Sequence, residues 1–199
     1  MILITDPEFL PDEELFINAF FSQGLETLHL RKPQANIFQM EKLLSKIESK
    51  YHPRIMIHSN YDLINRFQIK GLHFTGKTKG SFDNYKAIEC QRSLSAHSLA
   101  ELKNINPLVD YAFLCPIFPS ISKIGYAKQW DIKTLKQQLS TSRKFKIVAL
   151  GGINLQNTKT AMEYGFDDFA VLGNIWNFAK ESLSLSVAVT HFKQFQYAQ

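Results

Sequence analysis

The sequence has no long hydrophobic run. No apolar stretch among its 199 residues approaches the ~18 needed to cross a bilayer, which excludes a helical membrane span. Cysteine is scarce. Cys90 and Cys115 are too few for a disulfide scaffold and lack metal-ligand spacing, so a reduced, cytoplasmic compartment is expected. No basic leader is present: the opening MILITDPEFLPDEEL meets Asp6 and Pro7 at once, unlike a secretory signal. Low-complexity tracts, Gly/Ser linkers and breaks in composition are also absent, so residues 1–199 read as a single compact domain. There is no block of like charge. The 23 Lys and Arg against 18 Asp and Glu give +5, but the basic residues are spread along the chain. That spread reads as a solvated surface, with no nucleic-acid partner and no membrane partner.

What is present is an ordinary globular composition, 45% hydrophobic with 16 Phe, enough for a well-filled core. Short runs rich in Ile, Val and Leu alternate with longer amphipathic stretches. The runs are 1–5, 27–31, 54–58, 71–74, 93–97, 111–116, 147–150 and 169–172. Helical patterns follow at 12–22, 37–49, 61–67, 84–89, 99–104, 132–139, 155–164 and 175–195, that at 84–89 being the weakest. Eight strand–helix units without a compositional break favour an α/β fold of the (β/α)8 TIM barrel type over a doubly wound open sheet.

Local signals mark the helix ends. Pro11 leads into Asp12, Glu13 and Glu14, placing acid at the positive end of a helix. Ser98 with Glu101 is a capping-box pattern, Asn154 is placed to cap the helix after Gly151 and Gly152, and Gly24 and Gly165 read as helix stops.

A barrel carries its chemistry at the C-terminal ends of its strands. In strand order, those ends bring His29, Arg31 and Lys32; His58 and Ser59; Thr75 and Gly76; Ser95 and His97; the segment from Pro116 to Lys123; Gly151 and Gly152; and Leu172 and Gly173. Small residues before a helix let a phosphate approach backbone N–H groups, while Arg31 and Lys123 supply fixed positive charge and Ser120 and Ser122 supply donors. The set points to a phosphorylated small molecule, with two anionic groups. Structural readings stand beside these: Gly151-Gly152 as a tight turn, Arg31-Lys32 as a solvated loop pair, His29 and His73 as packed strand residues, His52 and His191 as surface residues.

The segment VDYAFLCPIFPSISK, from Val109 to Lys123, resembles the ADY-xxx-GP-x-FPT-x-TK motif of the thiamine phosphate synthase and TenI superfamily. Leu28 to Arg31 resembles its Q-x-R segment, Ser93 to His97 with Glu101 its G-x-S-x-H…E segment, Val148 to Ile153 its VAIGGI segment, and Ala170 to Ile175 its final phosphate turn. The resemblance covers essentially the whole chain and implies the same barrel. It implies a synthase that joins an aminopyrimidine methyl pyrophosphate to a hydroxyethylthiazole phosphate, with Mg²⁺ bridging the leaving pyrophosphate. By position it makes Arg31, Lys123 and Ser95 catalytic, puts Ser120 and Ser122 at two Thr positions, and gives Gly151, Gly152, Leu172 and Gly173 the thiazole phosphate. His29, where the family has Gln, joins His58 and His97 as substrate-binding.

The departures concern the metal. Where the resemblance implies aspartates that hold Mg²⁺, this sequence has Ser59 and Thr78, with Asp62 the carboxylate nearby. The second basic residue of the family's Q-x-R-x-K pattern falls on Pro33, with Lys32 one position away. Three readings follow: a divergent synthase, a TenI-type thiazole tautomerase using His58 or His97 as acid or base, or a non-catalytic phosphate-ligand-binding paralogue. The expected partners are small phosphorylated substrates and a second copy of the chain in a homo-oligomer.

Overall fold

The computed structural model describes residues 1–105, 108–119, 130–182 and 184–198. Each apolar run forms a strand: β1 (Ile2–Ile4), β2 (Thr27–Leu30), β3 (Ile55–Ile57), β4 (Gly71–Phe74), β5 (Gln91–Ala96), β6 (Tyr111–Leu114), β7 (Lys146–Ala149) and β8 (Asp168–Val171). Every strand pairs in parallel with its sequence neighbours, and β1 bonds to both β2 and β8. That closure makes the fold a (β/α)8 barrel and eliminates the open sheet.

The helices are α1 (Glu13–Ser22), α2 (Ile37–Lys46), α3 (Leu99–Lys103), α4 (Ile132–Leu139), α5 (Thr158–Tyr164), α6 (Gly173–Ser182) and α7 (Leu185–Gln196). Gly24 and Gly165 follow α1 and α5 at φ +95° and +100°, as helix stops require. Ser98 Oγ accepts from Glu101 N at 3.1 Å, while the Glu101 carboxylate reaches back to His97 N at 3.0 Å. Asn36 and Gln39 form a reciprocal capping box on α2 that the sequence reading passed over.

Four expectations are corrected. The stretches at 61–67 and 84–89 are instead 3₁₀ helices, Tyr61–Asn65 and Lys79–Tyr85. Each is short, and the second begins on a turn whose N–H groups bond back to Thr75 O. The helix after Gly152 starts at Thr158 rather than at 155, because Asn154 Oδ1 accepts from Gln156 N in a turn of its own. The long pattern at 175–195 is two helices. Serines 182, 184 and 186 compete for the backbone at the break, and Ser184 N donates to Ser182 Oγ. α7 then packs on α1, with Phe192 against Phe20 at 4.9 Å between ring centres.

Strand periodicity divides the core in two. Leu3, Leu28, Leu30, Ile55, Ile57, Leu72, Phe74, Ala112, Leu114, Phe169 and Val171 face outward into the helix layer. Inside the barrel, Ile2, Ile4, Met56, Tyr111, Phe113, Val148 and Ala170 form a second cluster. Inner positions on β2, β4 and β5 are polar, among them Thr27, His29, His73, Ser93 and Ser95. One half of the barrel interior is oil and the other half is imidazole and hydroxyl. No described helix is long and apolar enough to cross a membrane.

Candidate active site

The eight parallel strands point their C-terminal ends to one mouth. Arg31 follows β2, and its backbone is fixed there: Arg31 N donates to Thr5 Oγ1 at 2.9 Å, and Thr5 Oγ1 donates to Arg31 O at 3.1 Å. Its charge acts on His58 and His73. Ser95 Oγ lies 2.9 Å from His73 Nε2, and Ser93 Oγ lies 2.8 Å from His73 Nδ1. Below them, His29 Nδ1 is 2.8 Å from His58 Nε2, and His29 Nε2 is 2.5 Å from Tyr111 Oη. His58 and His73 stand ring to ring at 4.1 Å. His29, His58, His73 and Ser95 are thus one network, reached from the mouth past Arg31.

Burial sets the protonation of this network. His29 and His58 are held well below the ordinary imidazole range, first by desolvation and then by neighbouring positive charge. Burial, with Arg31 adding to it, takes His73 down to about 3. All three are neutral at pH 7. Burial also pushes the Tyr111 hydroxyl up, so it stays a phenol. His58 Nδ1 is buried and has no hydrogen-bond partner.

His29 and His73 are therefore not simply packed strand residues. One sequence signal exposes this: in β2 (TLHL) and β4 (GLHF) the histidine alternates with the large apolar residues on either side, which aims both rings to the inner face. His52 is buried against Leu44 O and Ile47 O rather than on the surface. His191 is half-buried, stacked on Phe178 and bonded to Asn174. His97 turns away from the network, and its Nδ1 faces Cys115 O at 3.2 Å and Cys115 Sγ at 3.3 Å.

Lys32 is not a solvated rim residue. It is 1% exposed, and its Nζ donates to both carboxylate oxygens of Glu13, at 2.6 and 2.7 Å, and to the carbonyls of Asp6 and Glu8. The charge one position from the family's second basic residue is consumed by the β1–α1 loop. Asp6 in turn is held by Lys180 of α6 at 2.6 Å.

Gly151 and Gly152 lie at φ +93° and +68°, and the loop they form is zipped to the one after β6. Ile117 N donates to Leu150 O at 3.0 Å and Phe118 N to Gly151 O at 3.1 Å. A Cβ on Gly152 would sit 2.5 Å from Pro119 O, and one on Gly151 would sit 2.9 Å from Pro116 Cα. These glycines first serve loop packing. Gly173, at the start of α6, is different: a Cβ there would meet nothing nearer than Asn177 Nδ2 at 3.7 Å, so no close packing contact demands the glycine. Leu172, beside it, is half-exposed at the same turn. Ser120, Ser122 and Lys123 lie outside the described residues.

The residues at the implied magnesium positions do not suit that ion. Thr78 Oγ1 already accepts from Thr75 N at 2.8 Å and from Tyr61 Oη at 3.0 Å. Ser59 offers a neutral hydroxyl, and Asp62 is exposed on the Tyr61–Asn65 turn. This set lacks the anionic oxygens that a hard cation takes. Among the described residues, a group that could hold a metal lies elsewhere: His29, His58 and His73 each offer a ring nitrogen, all within 4.8 Å of one another.

The likeness to known proteins extends over the whole chain. A family model described as thiamine monophosphate synthase matches residues 1–175. The thiamine-phosphate synthase of Chlamydia caviae is 26% identical over 187 residues, covering 87% of this chain and 85% of that protein. That of Clostridium tetani is 27% identical over 183 residues, covering 88% and 87%. Among solved structures, thiamine phosphate pyrophosphorylase from Bacteroides thetaiotaomicron superposes with a TM-score of 0.84 at 31% identity, covering 100% of this chain and 96% of that one. The Pyrococcus furiosus protein of the same name, at 16% identity, shares the fold with a TM-score of 0.80 over 99% and 93%.

Proposed function

The chain belongs to the thiamine monophosphate synthase family, and from that premise we propose that it joins an aminopyrimidine methyl pyrophosphate to a hydroxyethylthiazole phosphate, releasing pyrophosphate. The observation that carries this reading is the mouth itself. It offers Arg31, whose backbone is fixed after β2, and the start of α6 at Gly173, where a Cβ would meet no close neighbour. Two anionic groups have two separate receptors. The names and the lengthwise coverage of the relatives support the same reaction class.

In this reaction the bond from the pyrimidine methylene to pyrophosphate oxygen breaks, and its electron pair leaves with the pyrophosphate. The thiazole nitrogen then forms the new carbon–nitrogen bond. Negative charge grows on the leaving group, so fixed donors there lower the barrier most. Arg31 and Lys123 act as those cations, and Ser120 and Ser122 add hydroxyl donors. Ser95, its Oγ fixed by His73, lines the pyrimidine side with His58, while His29, expected there from the sequence, is fully buried behind them and bonded to His58 and Tyr111. The N–H groups following Leu172 hold the thiazole phosphate and keep the nitrogen in line. Gly151 and Gly152 seat the loop that leads to Ser120, and His97 lies at the outer edge of the mouth. Ser59 and Thr78 leave magnesium without the carboxylates that would hold it.

Two substitutions separate these roles. Lys123→Ala should lower kcat about 100-fold by removing a donor to the departing pyrophosphate. Unchanged steady-state turnover takes Lys123 out of the mechanism. Gly173→Ala should leave the circular dichroism spectrum unchanged and weaken thiazole phosphate about tenfold, since the added methyl stands where the anion approaches. Wild-type affinity in a calorimetric titration defeats the helix-start receptor.

The reading is tested by incubating purified protein with both substrates and following thiamine phosphate. Product establishes the synthase. A second reading, a TenI-type thiazole tautomerase, draws on the buried neutral imidazole of His58 with its unpartnered Nδ1. His97 is turned the other way, with its Nδ1 facing Cys115. Isomerisation of the thiazole precursor without pyrimidine, lost in His58→Gln, would select that reading.

A further inference from the structure

We infer that the polar half of the barrel interior is a binding site for a divalent transition metal of the zinc class, held by His29, His58 and His73. The three imidazoles come one each from β2, the end of β3 and β4, on adjacent strands of one sheet. Their ligand atoms lie within 4.8 Å of one another, and one pair, His29 Nδ1 and His58 Nε2, is 2.8 Å apart. Two nitrogens on a tetrahedral zinc ion are separated by ~3.3 Å, given bonds of about 2.05 Å. The triad straddles that spacing, and small ring rotations close it.

The surroundings are those of a ligand set. Tyr111 Oη sits 2.5 Å from His29 Nε2, where an outer partner fixes the tautomer and aims the other nitrogen inward. Ser93 and Ser95 hold His73 by hydroxyls, which rotate freely to release a lone pair. His58 is 8% exposed; its Nε2 faces His29 and its Nδ1 is buried without a partner, so the ring has one nitrogen to give to an ion and no protein acceptor competing for the other. Imidazole nitrogen suits zinc, cobalt or nickel and ranks poorly for magnesium, which seeks charged oxygen. Arg31 bears on the site from the mouth and lowers its affinity without removing a ligand. The inference is independent of the synthase reading: either can fail alone.

The test is metal uptake. Chelator-stripped wild type is dialysed against zinc in a large excess of magnesium, and bound metal is counted by plasma mass spectrometry. About one zinc per chain should be retained, and no magnesium. His58→Asn and His73→Asn should each lower zinc affinity at least about 100-fold. The double variant His97→Ala/Cys115→Ser and the variant His191→Ala, which remove donors outside the triad, should bind as wild type does. Absence of uptake by wild type, or full uptake by folded His58→Asn, overturns the site. If the histidine variants do not fold, the cobalt form of wild type decides. Intense visible bands of a low-coordinate, nitrogen-bound ion support the site, and the faint spectrum of an octahedral hydrate rejects it.

Discussion

Lys32→Met will lower the unfolding free energy at neutral pH by about 3–5 kcal/mol, the cost of stranding one member of a buried ion pair. Lys32 and its partner Glu13 are each 1% exposed. Burial is the largest influence on both groups: it raises the Glu13 pKa and lowers that of Lys32 even though each helps the other stay charged. The pair is thus held at a solvation cost, and it survives because Lys32 Nζ also satisfies the carbonyls of Asp6 and Glu8. Without the ammonium, Glu13 must take a proton or remain an unpaired anion. Denaturant unfolding monitored by Trp fluorescence measures the loss. The double variant Lys32→Met/Glu13→Leu should recover most of it, leaving the smaller cost of two freed carbonyls. A single variant within ~1 kcal/mol of wild type would mean that the pair behaves as an exposed one.

Acidification should unfold the metal-free protein before its carboxylates titrate. The three interior imidazoles have folded-state pKa values below 6.5, whereas the unfolded chain titrates at the ordinary value. Below pH 6.5 the unfolded state therefore binds protons that the folded state refuses. Stability is complete above that pH and falls as pH drops toward the folded values, which for His73 is about 3. Each such group costs about 1 kcal/mol per pH unit inside that window, so His73 alone removes roughly 2 kcal/mol over the two pH units below 6.5. His29 and His58 add to this. Glu13, with a raised folded pKa, offsets a part at the acid end of the window. Urea midpoints taken down that range, with chelator present, give the slope, and His73→Gln should flatten it. A wild-type slope near zero would mean that the imidazoles charge within the fold.

All eight strands were legible because each is a short apolar run between turn signals, and parallel barrel strands are buried on both faces. The closure was legible from the count of units rather than from any residue. The 3₁₀ turns at Tyr61–Asn65 and Lys79–Tyr85 were not, since one or two turns carry too little period to distinguish. Arg31 and Gly173 were singled out by their place at strand ends together with the family resemblance. Lys32 misled, because a lysine beside an arginine reads as solvated, and its partner Glu13 lies 19 residues away in sequence. The histidine network was half visible: His29 and His58 were singled out, but separately. What joins them to His73 is the stagger of neighbouring strands, which a single sequence does not display.

The seam between the loops after β6 and β7 bears on how such barrels can be recombined. Pro116 to Pro119 and Leu150 to Gly152 share two backbone hydrogen bonds and leave no room for a Cβ at either glycine. They behave as one exchangeable cassette, although 30 or so residues of chain separate them. A chimera with a related barrel whose crossover falls between the two segments would pair mismatched halves and misplace the segment carrying Ser120 and Lys123. Grafting both segments together keeps the seam intact, so substrate preference can be moved between scaffolds only as a linked pair.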